Sequence, residues 1–346
     1  MRSKSIKLMI LVLVVTSFSS FVQSGEFNVK AQNESIDPWY FIALGDSRNW
    51  YENESNPFRE AIIDDVVENN PNMEFILHSG DMVQSGGEQL DWDRYYEDID
   101  LAVQNDVKFY YAVGNHEIYT YRLEDGSYGP SQTNFSTYMA NVEMPGNERY
   151  YSFDFNQIHF IVINTEEFWD DDDYFFDITT EQKNWIIDDL SNDNSNFTIA
   201  LFHRPMYSIR STYRVENAQE ISKVLEPIFI EYGVDLVFSG HDHYYYRTTR
   251  DDITHVVTGG SGAPLYDPEK TGLAIEGDVY FDKYHYVNVS VKDDVIKLET
   301  LTYTGDNIES PSIQDSFEIN LNETDKTIFF PIFISVIMIA LFRKRK

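Results

Sequence analysis

Val234-Asp235-Leu236-Val237-Phe238-Ser239-Gly240-His241-Asp242-His243 reads as an apolar strand that stops at a glycine and then presents two histidines two residues apart. A short apolar run bounded by glycine is the mark of a buried strand. Histidines at i and i+2 just beyond it are a frequent ligand arrangement. Four more junctions of the same kind stand upstream. Residues 39–44 end in Gly45-Asp46-Ser47-Arg48, 75–78 in Gly80-Asp81-Met82-Val83, 107–113 in Gly114-Asn115-His116-Glu117, and 197–202 in His203-Arg204-Pro205. A further buried strand is expected at 158–163. Helical spacing lies between them: 57–69, with Pro57 suited to a first turn, 180–190, capped by Thr179 or Thr180, and 217–232, which Pro227 is expected to kink or interrupt. From residue 244 onward four strands follow without intervening helices, at 244–249, 254–258, 284–291 and 295–301. The pattern is an α/β half followed by a β-rich half within one domain. In open α/β sheets ligands bind beyond the carboxyl ends of strands, and every one of the five junctions is such an end.

Each junction alone is bland. Gly-Asp after a strand is often a turn or helix cap, and His203 alone reads equally well as a core histidine. Together, Asp46, Asp81, Asn115, His203, His241 and His243 on separate loops point to a two-metal hydrolytic centre. Two metals about 3.5–4 Å apart can hold a phosphate oxygen and a hydroxide together, the hydroxide attacking phosphorus in line. A nearby histidine can protonate the leaving alcohol. Four other histidines, His78, His159, His255 and His285, sit in strand patterns and are left out of the site. Tyr244 to Tyr246 follow the strand period and read as packing. Trp50, Tyr51, Tyr119, Tyr121, Tyr207 and Tyr213 read either as an aromatic wall beside the site or as ordinary loop packing.

The ordered set resembles the calcineurin-like metallophosphoesterase superfamily, and within it the purple-acid-phosphatase-like branch, over roughly residues 39–303. Gly259-Gly260-Ser261-Gly262-Ala263-Pro264 is similar to that branch as well. The resemblance implies a four-layer αββα sandwich of two mixed β-sheets flanked by helices. It implies two metal ions, drawn from Mn, Fe, Zn or Co. Asp46 would bind the first metal, Asp81 would bridge both, Asn115, His203 and His241 would bind the second, and His243 would return to the first. His116 would be the proton donor beside the leaving group, oriented by Glu117 or Asp46. One departure stands out. Arg48 occupies a place where the superfamily often has a histidine ligand, and Gln84 occupies the place of the compensating tyrosine in purple acid phosphatases. Arginine is a cation and does not ligate metal, whereas its planar fork suits a substrate phosphate, so Arg48 joins His116 among the catalytic candidates. The first metal site is then expected to lack a protein ligand, to use Gln84 or water, or to bind weakly, and no tyrosinate-to-iron colour is expected. The implied activity is hydrolysis of a phosphomonoester or phosphodiester, a nucleotide or similar small phosphate, by a metal-held hydroxide. The alternative is a catalytically weak surface protein that keeps the fold as a binding or adhesion module.

The ends read differently from the body. Residues 1–24 carry Arg2, Lys4 and Lys7, an apolar run, and a Ser-rich stretch, the pattern of a secretory signal or an uncleaved anchor. Residues 25–38 read as a linker and 304–327 as a polar stalk. The segment 328–346 is apolar and ends in four basic residues, which reads as a tether with its basic tail inside, a removable sorting tail, or a buried helix. The favoured expectation is a body held on the extracellular face of the membrane. Setting aside eight basic residues near the ends leaves 18 against 58 acidic ones, a net charge of −40. That excludes general binding to nucleic acid or anionic lipid. There is no cysteine, so any metal site uses His, Asp, Asn or Glu. Six Asn-x-Ser/Thr sequons, at Asn33, Asn53, Asn134, Asn196, Asn288 and Asn322, suit an exported, glycosylated chain.

Overall fold

The strand that opens the body, Trp39–Leu44, is buried on both faces, and its alternation assigns its side chains to two different cores. Phe41 and Ala43 point into one, Ile42 and Leu44 into the other. A computed structural model describes residues 38–50, 55–120, 129–130, 132–170, 173–175, 178–303 and 311–320. The expected signal segment, the flanks of the stalk and the C-terminal apolar segment lie outside the described residues, as do Asn33, Asn53, Tyr51, Tyr121 and Asn322. Among the described residues no helix is long and apolar enough to cross a membrane.

Two mixed sheets make the middle of the molecule. The first runs in the order Ser312–Asn320, Val295–Thr302, His285–Lys292, Trp39–Leu44, Ile76–His78, Phe109–Tyr111. Its last three strands are parallel to one another and its first four antiparallel. The second runs Val279–Phe281, Tyr245–Arg250, Ile253–Thr258, Leu236–Ser239, Phe197–Leu201, Ile158–Val162, Tyr151–Phe155, with a parallel centre and antiparallel edges. The sheets pack face to face over an aromatic core in which Phe41 meets Phe160 and Phe238 edge-on, at 5.6 and 6.4 Å between ring centres. The outer face of the first sheet is covered by Pro57–Asn69, Gln89–Asp98, Asp100–Gln104 and Gln132–Asn141. Thr180–Asn192 and Thr212–Tyr232 cover the outer face of the second. The layers are therefore helix, sheet, sheet, helix, as the resemblance implies.

Two expectations need correction. Part of the predicted stalk is a strand: Ser312–Asn320 pairs antiparallel with Val295–Thr302 and completes the edge of the first sheet. It reads as polar because an edge strand buries little, and polar residues on an edge discourage further pairing. Phe317 and Ile319 nonetheless pack against the inter-sheet core, and Asp315 takes a two-point contact from Arg247 at 2.7 and 3.1 Å. The helix that Pro227 is expected to kink or interrupt is not interrupted: it is a single helix, Thr212–Tyr232. Proline costs it one backbone bond, but Ile221, Leu225, Ile228 and Phe229 stay buried against the sheet and hold it. It starts earlier than its apolar pattern, at a Ser211 cap that accepts from the Arg214 amide, and stops at Gly233 with φ 71°.

Candidate metal centre

The five junctions meet at one rim of the two sheets. Where the strands end, Asp46, Asp81 and His241 take left-handed backbone angles, φ 53°, 57° and 68°. Such angles cost non-glycine residues about 1–3 kcal/mol each and persist where surrounding contacts over-determine them. Here the loops are sewn to one another. Asp46 and Ser47 donate their amides to the carbonyls of Gly80 and Asp81, both at 3.0 Å. Gly240 donates to the His203 carbonyl at 2.8 Å, and the His241 amide reaches both Asp46 carboxylate oxygens at 3.0 and 2.9 Å. Close approach explains Gly114: a Cβ there would stand 2.4 Å from Asp81 Oδ1.

Two groups of ligand atoms result, and they share Asp81. One is Asp81, His203 and His241; the other is Asp46, Asp81 and His243. Within each group the atoms lie within 4.8 Å of one another. His203 Nε2 lies 3.3 Å from Asp81 Oδ1, 3.2 Å from Asn115 Oδ1 and 3.2 Å from His241 Nδ1. His243 Nε2 lies 3.3 Å from Asp46 Oδ1. The structure thus brings together the six residues expected as ligands, five of them in the two groups and Asn115 beside His203. All are buried. Their other contacts aim them: His203 Nδ1 donates to the Ser79 carbonyl and His243 Nδ1 to that of Pro264, each at 2.8 Å. Those bonds leave the Nε2 lone pairs turned inward.

The electrostatics suit cations. Burial pushes the Asp46 carboxyl up to about 8, with the Asp81 charge adding to it and His203 opposing. Burial acts on Asp81 too, but His203, His116 and Arg48 outweigh it and hold that carboxyl below the ordinary range. Burial, then Arg48, lowers His116 and His243 to about 3. Burial, then Arg214 and Arg204, takes His241 well below its ordinary value. These three imidazoles are neutral at pH 7, the form that ligates metal. Oxygen and imidazole donors converging on a shared carboxylate fit hard or borderline ions.

His116 lies at the edge of the cluster, its Nε2 3.9 Å from Asp81 Oδ2, its amide donating to Asp81 Oδ1 at 2.9 Å and its Nδ1 2.7 Å from the Gln84 carbonyl. The expectation that Glu117 orients it needs correction. The Glu117 carboxylate accepts four backbone amides instead: Asp81 and Gly114 on one oxygen at 2.8 and 2.7 Å, Met82 and Val83 on the other at 2.8 and 3.3 Å. Burial and the Asp81 charge push this carboxyl up to about 8 against those bonds, yet only the anion can accept all four in full. Glu117 braces the turn that carries Asp81. Arg48 is buried, and its guanidinium donates to the Gln84 side-chain oxygen and to the Asn49 carbonyl.

Several contributors went unread in the sequence. The Tyr266 ring stacks on His243 at 4.0 Å, and the Arg210 guanidinium lies 3.3 Å from the centre of the same ring. Arg204 donates to His241 Nε2 at 2.9 Å and forks onto Glu166 at 2.7 and 3.1 Å. Arg59, fully buried, reaches the Ser47 and Met82 carbonyls and pairs with Asp98 at 2.5 Å. Only Arg204, adjacent to His203, had a positional signal. Of the aromatic candidates, Trp50 is 46% exposed and stacks on Phe58, Tyr213 is exposed, and Tyr207 bonds Glu226. Tyr244, Tyr245 and Tyr246 are packing, as expected.

A family model described as calcineurin-like phosphoesterase matches residues 41–245. Purple acid phosphatase 5 of Arabidopsis thaliana is 25% identical over 262 residues, covering 73% of this chain and 56% of that protein. Acid phosphatase type 7 of Mus musculus is 29% identical over 216 residues, covering 56% of this chain and 45% of that one. The chain thus spans about half the length of these curated relatives. Among solved structures, the purple acid phosphatase PPD1 of yellow lupin (Lupinus luteus) seeds shares the fold, with a TM-score of 0.65 at 19% identity, over 82% of this chain and 54% of that one.

Proposed function

Because this chain belongs to the calcineurin-like phosphoesterase family, we propose that it is a metal-dependent phosphoesterase that hydrolyses a small phosphate ester at the Asp81 cluster. One observation carries the reading: two groups of buried ligand atoms share one carboxylate. Asp81, Asn115, His203 and His241 would hold one ion, and Asp46, Asp81 and His243 are the donors toward a second. Bound there, a metal polarises a phosphoryl oxygen and acidifies water.

His116 is the proton donor for the leaving oxygen. A carbonyl only accepts, so the Gln84 contact places a proton on Nδ1. In the neutral ring Nε2 is then bare. Negative charge arriving with the substrate raises its proton affinity, and the imidazolium can release that proton as the ester bond breaks. Arg48, through its effect on Asp46, Asp81, His116 and His243, keeps this side of the cluster positive for an anionic substrate. A nucleotide or similar organic phosphate is the substrate class, and the extracellular face of a membrane is the site of action. The signal-like N-terminus and the body charge of −40 support that location.

The test is metal-reconstituted protein assayed against a panel of mono- and diesters, beside Asp81→Ala. The variant should lose both metal and turnover. Parent protein that binds metal yet hydrolyses no ester with Mn, Fe, Zn or Co refutes the enzymatic reading. It then favours a binding module, toward which the Arg48–Gln84 contact is the motivating observation.

A further inference from the structure

We propose that the centre holds one tightly bound metal ion, at Asp81, Asn115, His203 and His241, and that the buried guanidinium of Arg48 supplies the positive charge on its other side. This rests on the metal-dependent reading above and refines it. The two half-sites are unequal. Around His203 Nε2 three other side-chain donors stand within 3.3 Å, making a set of four. The other half-site has Asp46 and His243 of its own and must share Asp81.

Gln84, which stands where the purple-acid-phosphatase resemblance implies a compensating ligand, is the side chain expected to make up the difference, and it is taken. A glutamine binds a cation only through its carbonyl oxygen, and that oxygen accepts from Arg48 Nη1. A cation already holds the atom a metal would need. The arrangement is braced from behind, since Asn56 donates to the Arg48 carbonyl at 2.9 Å and Arg59 to the Ser47 carbonyl at 3.2 Å. A divalent ion entering beside a buried guanidinium meets repulsion that water does not screen. Among the described residues the Nε of the same guanidinium has no hydrogen-bond partner. A buried unfilled donor near a metal-ligand cluster matches what a phosphoryl oxygen requires.

The experiment counts metal. Full-length protein loaded with Mn, Fe, Zn or Co and then desalted should carry one ion per chain by elemental analysis, and Arg48→His should carry two. Arg48→Lys, which keeps the charge, should stay at one and controls for folding. Arg48→Gln should keep its tight ion yet bind inorganic phosphate about tenfold more weakly by calorimetry, as loss of a charge-assisted hydrogen bond predicts. Two tightly held ions in the parent protein overturn the inference and leave the metal-dependent reading standing; no ion at all overturns both. Arg48→His remaining at one ion, or Arg48→Gln with undiminished phosphate affinity, removes the role given to Arg48.

Discussion

Glu117→Gln separates two roles for a residue whose sequence position suggests the wrong one. The carboxylate accepts four amides at 2.7–3.3 Å, two per oxygen. A carboxamide keeps one oxygen and turns an NH2 toward the other pair of donors. Two charge-assisted bonds are lost at about 1.5–3 kcal/mol each, and two amides are left buried without acceptors. The expected loss is about 3–6 kcal/mol, a large share of the ~5–15 kcal/mol that holds a typical domain. The lost amides include those on the turn that keeps Asp81 at φ 57°, so metal affinity should fall as well. Urea unfolding with an unchanged m-value measures the first effect, and metal content at limiting free ion measures the second. Were Glu117 an orienter of His116, the variant would lose turnover while keeping stability and metal. A destabilisation below about 1 kcal/mol with full metal occupancy would refute the brace.

Three further outcomes are expected. His116→Ala should retain its metal but turn over substrate ~10²–10⁴-fold more slowly; full activity would remove His116 from the chemistry. His159 touches Asp154 and Asp189 at 2.8 and 2.9 Å, with Asp193 near. Burial alone would lower its pKa, but those carboxylates carry it up to about 9. A raised value means the stabilisation is full below pH ~6.5 and fades as pH climbs through 9. His159→Gln should therefore cost about 1–2 kcal/mol at pH 6, after allowing for solvent screening, and almost nothing at pH 10. A pH-independent difference in melting temperature would count against the clamp. A chain ending at Tyr303, the boundary suggested by sequence alone, should be less stable than one ending at Asn320, because it loses the Arg247–Asp315 pair and the packing of Phe317 and Ile319; equal urea midpoints would mean that the edge strand contributes nothing.

The sequence by itself determined the strands that end at the site, the helices Pro57–Asn69 and Thr180–Asn192 beside them and the candidate ligands. Trp39–Leu44 and Pro57–Asn69 have the bounds their patterns predict. Apolar period, proline, caps and glycine stops act within a few residues, so they are legible in one dimension. The edge strand Ser312–Asn320 escaped because its polar composition imitates a linker. Gln89–Asp98 escaped because its buried Trp92 and Tyr95 are outnumbered by charges. What only the tertiary structure decided is which groups touch. Glu117 bonds amides 35 and 36 residues away, Asp46 an amide 195 away, and Arg48 the Gln84 side chain. Those contacts exist because parallel strands bring distant loops to one rim. Whether a side chain there ligates, braces or repels depends on its neighbours across that rim, which no local pattern encodes.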